Sequence, residues 1–343
     1  MKIIAQLPDG ISISSNTYGA CIVAVKKVPK GTRIYSSKCH LVGGDVKKYL
    51  LQIDDLEFEM DMAEHAVKCA VGNTRQVYSF DGFMNHSCAP NVYCPGTGVT
   101  PEGCLKYDCI AVKDIEPGDE VTCDYAQFDY ECDGHAIEKC LCGESGCRGY
   151  MMGFQGLTLE QKVIAMPNVD NEIIARFLED NPHVEIYDAT GDIPDGVKVQ
   201  VVDASGDSRR TVSLVTAAHF TKGSLIYKNS IRRVTDASAQ FIVKIGGVYV
   251  LTSQEEHFIS REGFREFLGF DCFMNHSCEP TTLQVYSSAD EYQVWAARDL
   301  VPGDELTCDY ATLQNVATGA ESLATIDFEC SCGSSECRGR IVA

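Results

Sequence analysis

The 343-residue chain has a single tryptophan, few prolines, and no apolar run near the ~20 residues that a membrane-crossing helix needs. It is also short of positive charge: 29 Lys and Arg stand against 49 Asp and Glu, a net charge of −20. So acidic a surface repels phosphate backbones, which argues against direct nucleic-acid binding and favours a basic, lysine-containing protein or peptide as partner. Charged residues make up 23% and hydrophobic residues 45%, which excludes a largely disordered chain. The length predicts two domains. Met1–Pro8 holds too short an apolar stretch for a secretory signal, and no small-residue cleavage site follows it. The basic pairs Lys26-Lys27 and Arg232-Arg233 are too short for an import signal. The expectation is a protein inside the cell, with nucleus and cytoplasm not separated.

Cysteine, by contrast, is abundant, with 18 residues. In a reducing compartment that number points to metal ligands and buried free thiols rather than disulfides.

The chain repeats itself. Phe83-Met84-Asn85-His86-Ser87-Cys88 returns as Phe273-Met274-Asn275-His276-Ser277-Cys278. Gly118-Asp119-Glu120-Val121-Thr122-Cys123-Asp124-Tyr125 returns as Gly303-Asp304-Glu305-Leu306-Thr307-Cys308-Asp309-Tyr310. Cys140-Leu141-Cys142 with Cys147-Arg148-Gly149 returns as Cys330-Ser331-Cys332 with Cys337-Arg338-Gly339. Three blocks in one order at nearly one offset define a tandem duplication. Each unit reads mostly as short strands, among them Cys21–Val28, Val212–Phe220, Lys106–Lys113 and Tyr292–Arg298. Helices are expected at Leu56–Cys69 and Ser260–Leu268. Between the units, apolar residues at helical spacing over Thr158–Leu178, broken at Pro167-Asn168, predict two short helices. The expected organisation is a first domain over 1–154, a helical linker over 155–182 and a second domain over 183–343.

In each unit a Cys-x-Cys pair, a third cysteine close behind it and a distant upstream cysteine suit the four tetrahedral thiolates of a structural zinc. The ligand sets would be Cys88, Cys140, Cys142 and Cys147, and then Cys278, Cys330, Cys332 and Cys337. Cys94, Cys104 and Cys109 show no ligand spacing and read as ordinary thiols.

Taken together, the Asn-His-Ser-Cys box, the Gly-Asp-Glu-x-Thr-x-Asp-Tyr box and the terminal Cys-x-Cys-x4-Cys-Arg-Gly resemble the SET-domain protein lysine methyltransferases with a post-SET zinc segment, in both copies. The resemblance implies a mainly β fold, two domains of small curved sheets with a knot-like threaded C-terminal segment. It implies S-adenosylmethionine as methyl donor, a lysine-bearing protein such as a histone as acceptor, and one structural zinc per unit. By family position Tyr125 and Tyr310 are the catalytic tyrosines, and Asn85, His86, Asn275 and His276 contact the cofactor. The family's Gly-x-Gly loop falls on Gly19-Ala20-Cys21 in the first unit, with Tyr18 beside it, and on Thr211-Val212-Ser213, which has no glycine, in the second. The first unit is therefore the expected catalyst. Cys123 and Cys308 occupy the position that sets methylation degree in the family, and a small thiol there leaves room for several methyls. The rival readings are a non-catalytic tandem scaffold and a methyltransferase acting on a non-histone or small-molecule acceptor.

Overall fold

The computed structural model describes every residue except 18, 44, 69–73, 133–135, 204–209, 237, 253–256, 262, 314–326 and 343. The chain divides into two compact units, Met1–Asp180 and Asn181–Ala343. Both are mainly β, assembled from sheets of two to four strands.

The first unit opens with Lys2–Ala5 running parallel to Lys48–Ile53, which pairs antiparallel with Leu56–Asp61. Ile11–Asn16 and Gly19–Ala24 form a hairpin. Arg33–Lys38 and Leu105–Ala111 pair antiparallel, and the latter also holds Val92–Tyr93 and Gly96–Val99. The second unit repeats the scheme. Val184–Asp188 runs parallel to Gln240–Ile245, which pairs with Val248–Leu251. Val197–Asp203 and Arg210–Thr216 form the hairpin, and Leu225–Ser230, Glu291–Ala296 and Thr282–Tyr286 form the sheet. One core gathers Ile22, Leu51, Ile53, Val77 and Ile115, the other Leu214, Phe241, Val243, Phe267 and Val294.

Two expected helices are strands instead. Leu56–Asp61 is the return strand of a hairpin, and only Met62–His65 turns as a helix before the strand Ala66–Lys68. Glu57, Glu59 and Asp61 alternate with Phe58, Met60 and Met62, a period of two, and Asp54 at φ +49° closes the turn that pairs Ile53 with Leu56. Cys69 lies outside the described residues. The Ser260–Leu268 segment is likewise a hairpin, Phe258–Arg261 with Phe264–Phe267, whose turn holds Gly263 at φ +80°.

The helices expected between the units are present as Leu159–Ala165 and Asn171–Asp180, with a 3-10 turn at Met166–Asn168. Thr158 starts the first with a reciprocal capping box to Gln161. Both helices belong to the first unit: Phe177 meets Phe154 edge-on at 6.0 Å, and the Tyr130 hydroxyl donates to Asp180 at 2.6 Å.

Candidate methyl-transfer and metal sites

A two-residue parallel ladder explains why the repeated boxes travel together. Asn85–His86 pairs with Thr122–Cys123, and Asn275–His276 with Thr307–Cys308. Each ladder sets the histidine beside the tyrosine of the other box. The Tyr125 N–H donates to His86 Nδ1 at 3.3 Å, and the Tyr310 N–H to His276 Nδ1 at 3.2 Å. The Tyr125 hydroxyl donates to the Met84 carbonyl at 2.8 Å, and the Tyr310 hydroxyl to Met274 at 2.9 Å. Burial holds the Tyr125 hydroxyl above its ordinary range, so it keeps its proton at neutral pH. With that proton committed to a carbonyl, the phenolic oxygen offers lone pairs to a third group.

Glu120 draws the expected cofactor residues together. Asn16 Nδ2 and Asn85 Nδ2 donate to its two carboxylate oxygens at 3.0 and 2.6 Å. Asn16 lies opposite Gly19 at the hairpin end, and Val23, two residues past the buried Cys21, bridges Glu120. Gly19 takes φ +120° with open space on its Cβ side, a conformation that glycine supplies without strain. Ala20 follows in the same strand. Tyr18 lies outside the described residues. In the second unit Asn275 donates to Glu305 at 2.7 Å and Val215 bridges Glu305, with Thr211-Val212-Ser213 in place of the glycine.

The four cysteines of the first unit converge. The sulfurs of Cys88, Cys140, Cys142 and Cys147 all lie within 4.8 Å of one another. Cys88 is 3.8 Å from Cys140 and 4.0 Å from Cys147. In the second unit Cys278 Sγ is 3.8 Å and Cys337 Sγ 3.7 Å from Cys330 Sγ, but the ligand atoms that lie within 4.8 Å of one another belong to His276, Cys278, Cys330 and Cys332, with Cys337 outside that group. Zinc–sulfur bonds of about 2.3 Å put tetrahedral thiolates about 3.8 Å apart, so the first donor set fits a zinc ion, the second fits one through Cys278, Cys330 and Cys332 with His276 or Cys337 as the fourth donor, and neither is a disulfide. Backbone N–H groups of Arg148 and Arg338 point at Cys88 and Cys278 at 3.4 Å, as thiolates require.

His86 and His276 stand beside these clusters, each with Nε2 3.4 Å from the sulfur of Cys88 or Cys278. Burial pushes His86 down to about 4 and lowers His276, so both rings are neutral near pH 7. Nδ1 accepts from the tyrosine N–H while Nε2 faces the sulfur, so each histidine links the tyrosine to a cysteine of the cluster.

A narrow cavity of about 80 Å³ opens in the first unit, walled by Tyr78, Met84, Cys123, Tyr125 and Phe128, with Tyr35, Asp81 and Tyr107 among its other lining residues. Cys123 is buried and contributes a small thiol to this lining.

Sequence reading overlooked several groups that brace the site. Asp124 caps the turn Tyr125–Gln127 through the Ala126 N–H and receives a bidentate fork from Arg148 at 2.7 and 2.8 Å. Arg338 repeats the contact to Asp309 with one nitrogen, at 2.5 Å. Glu120 and Asp124 stand inside the repeated box, and that repetition was the available signal. Asp81 and Asp271 stand just ahead of the repeated Asn-His-Ser-Cys box, at matching positions.

The SET domain family model matches residues 19–126 and again 211–311, more than half of the chain. The chain belongs to the SET domain family. A segment of 69 residues, 20% of the chain, is 39% identical to "Histone-lysine N-methyltransferase, H3 lysine-4 specific" of Emericella nidulans, of which it covers 5%. A segment of 71 residues, 21% of the chain, is 41% identical to "Histone-lysine N-methyltransferase SETD2" of Homo sapiens, of which it covers 3%. The chain thus spans a few per cent of the length of these relatives. Among solved structures, the methyltransferase domain of human SETMAR aligns over 37% of this chain and 52% of its own, at 23% identity and a TM-score of 0.25. No helix among the described residues is long and apolar enough to cross a membrane.

Proposed function

We propose that the protein is an S-adenosylmethionine-dependent protein-lysine N-methyltransferase whose first unit is the catalyst. The observation that carries this reading is the cavity lined by Tyr125, in a chain that belongs to the SET domain family. S-adenosylmethionine, when bound, supplies a methyl on a positively charged sulfur. Gly19, Ala20, Cys21, Asn85 and His86 would hold it in the first unit; in the second, Asn275 and His276 remain without the glycine.

The chain's own residues then have three tasks. Tyr78, Met84 and Phe128 strip water from an entering lysine side chain, which lowers its pKa and favours the uncharged amine that can attack. The same walls fix its direction, and alignment of this kind removes several kcal/mol from a displacement barrier. The Tyr125 oxygen accepts an N–H of the amine and turns its lone pair towards the methyl. Each cysteine cluster holds one structural zinc and pins the segment after it onto its tyrosine. The acidic surface attracts a lysine-rich protein, and core histones are the acceptor class to test first.

Transfer of labelled methyl from S-adenosylmethionine to mixed core histones tests the reading, run with Tyr125→Phe and Tyr310→Phe. The expected outcome is label on a histone, cut roughly 100-fold by Tyr125→Phe and unchanged by Tyr310→Phe. Loss with Tyr310→Phe alone would move catalysis to the second unit. Stoichiometric donor binding without label would turn the search to other acceptors, and absence of donor binding would leave a scaffold.

A further inference from the structure

Two cysteines outside the metal clusters face each other beside the first unit's cavity. Val92 pairs with Ala111 and Tyr93 with Ile110 in antiparallel register, and Gly96 pairs with Tyr107 further along in the same register. Between these fixed points Cys94 falls opposite Cys109. Backbone hydrogen bonds flank this pair and do not join it: the Val112 N–H donates to the Asn91 carbonyl at 2.9 Å and the Asp108 N–H to the Pro95 carbonyl at 3.1 Å. Hydrogen-bonded and non-hydrogen-bonded pairs alternate in an antiparallel ladder, so Cys94 and Cys109 occupy a non-hydrogen-bonded site, where Cα atoms lie about 4.5 Å apart and side chains are closest. A disulfide spans Cα separations of about 4.4–6.8 Å. Both cysteines are free, and the two thiols hydrogen-bond each other. Cys109 is fully buried, whereas Cys94 is half-buried and lines the cavity, so a small molecule that enters meets Cys94 first.

The second unit keeps the two positions and neither thiol. Tyr292 matches Tyr107, each donating to a buried aspartate, and two residues further on Val294 stands where Cys109 does. Its cross-strand partner is Gln284. We propose that Cys94 and Cys109 are an oxidative modification site of the first unit, closing to a cross-strand disulfide when a peroxide enters the cavity. The Cys94 sulfur attacks one peroxide oxygen, the O–O bond breaks, and the departing oxygen takes the thiol proton and leaves as water, with a sulfenic acid on Cys94. The Cys109 sulfur then attacks the Cys94 sulfur, the S–O bond breaks, and a second water leaves with the Cys109 proton. Two thiols have lost two electrons, and hydrogen peroxide has become two waters. Contact with Cys109 and burial hold the Cys94 thiol well above its ordinary range, so little thiolate is present at neutral pH and the pair answers to sustained peroxide, not to a brief exposure. This chemistry needs the cavity alone and does not depend on methyl transfer.

The test incubates the zinc-loaded full chain with hydrogen peroxide, alkylates the remaining thiols and maps the peptides by mass, with the linked sulfurs located by fragmentation. The expected product joins Cys94 to Cys109, two hydrogens lighter than the separate peptides, absent before treatment and removed by dithiothreitol. Cys94→Ser loses this product and leaves Cys109 as an alkylated thiol, while Cys104→Ser keeps it. Recovery of Cys94 linked to Cys123 overturns the register argument and with it the proposal. So does recovery of Cys94 and Cys109 as free thiols after exposure prolonged until Cys104 is fully oxidised. Both results are read on the parent chain, so they hold even where Cys94→Ser fails to fold.

Discussion

The two units hold the same cast of residues at different depths. In the first, Arg148 grips Asp124 with two nitrogens, and both side chains are nearly buried, at 9% and 7% exposure. In the second, Arg338 reaches Asp309 with one nitrogen while its side chain is 40% exposed. Gly19 is kept in one and lost in the other. Duplicates that share their ligands and tyrosines thus differ in what surrounds them, and retained motif residues report inheritance of a scaffold more surely than equality of function.

Three experiments would break or sharpen this contrast. Metal removal comes first in size. Two zinc ions per chain are expected by atomic absorption, and a strong chelator should lower the melting temperature by more than 10 °C, since structural zinc supplies folding energy outright. The second cluster should empty first, because Cys330 is more exposed than the buried Cys140. Simultaneous loss from both would show that the clusters are equally guarded. Next is Arg148→Ala, which strands a buried carboxylate and should cost about 3–5 kcal/mol in urea unfolding. Arg338→Ala should cost under about 1 kcal/mol, as an exposed pair does. Equal costs would erase the difference in depth.

The smallest effect concerns Asp271. Burial lifts its carboxyl to about 6, despite the opposing hydrogen bonds from Tyr227, Tyr292 and Asn229. Between the unfolded value of roughly 4 and this folded value, the native state holds a proton that the unfolded chain has released. Its stabilising contribution is therefore full below pH 4 and lost as the pH rises through 6, by about 2–3 kcal/mol. Asp271→Asn should flatten that decline in a pH series of unfolding curves. A slope identical to that of the parent chain would mean that Asp271 ionises as freely when folded as when unfolded.

How much of this was legible in the sequence depends on what carried the information. The cysteine clusters were readable because ligand spacing is local and chemically demanding, and the repeated boxes marked the residues that a short parallel ladder joins. The strands at Leu56–Asp61 and Phe264–Phe267 were misread as helix. Acidic residues hid a period of two in the first, and in the second a single glycine decides the turn. The pairing of Asp81 was beyond reach. Tyr35, Ser79 and Tyr107 come from three separate segments, and only the folded chain shows that Ser79 and Tyr107 take the carboxylate. Glu120 was quoted within a repeated box, but its role in joining Asn16 to Asn85 appears only once the hairpin is folded.

The placement of the cysteines has a consequence for how the protein is made. Cys88 waits for partners at 140, 142 and 147, and Asp124 waits for Arg148, so the first unit's site cannot close until residue 148 has left the ribosome. Contacts so distant along the chain form slowly, and exposed thiols and strand edges are vulnerable meanwhile. Yet every residue of that site precedes Asn181. The first unit can be complete, with its metal in place, before the second unit's repeated boxes, which begin at Phe273, have been synthesised, so its own boxes have no unfinished twin with which to mispair.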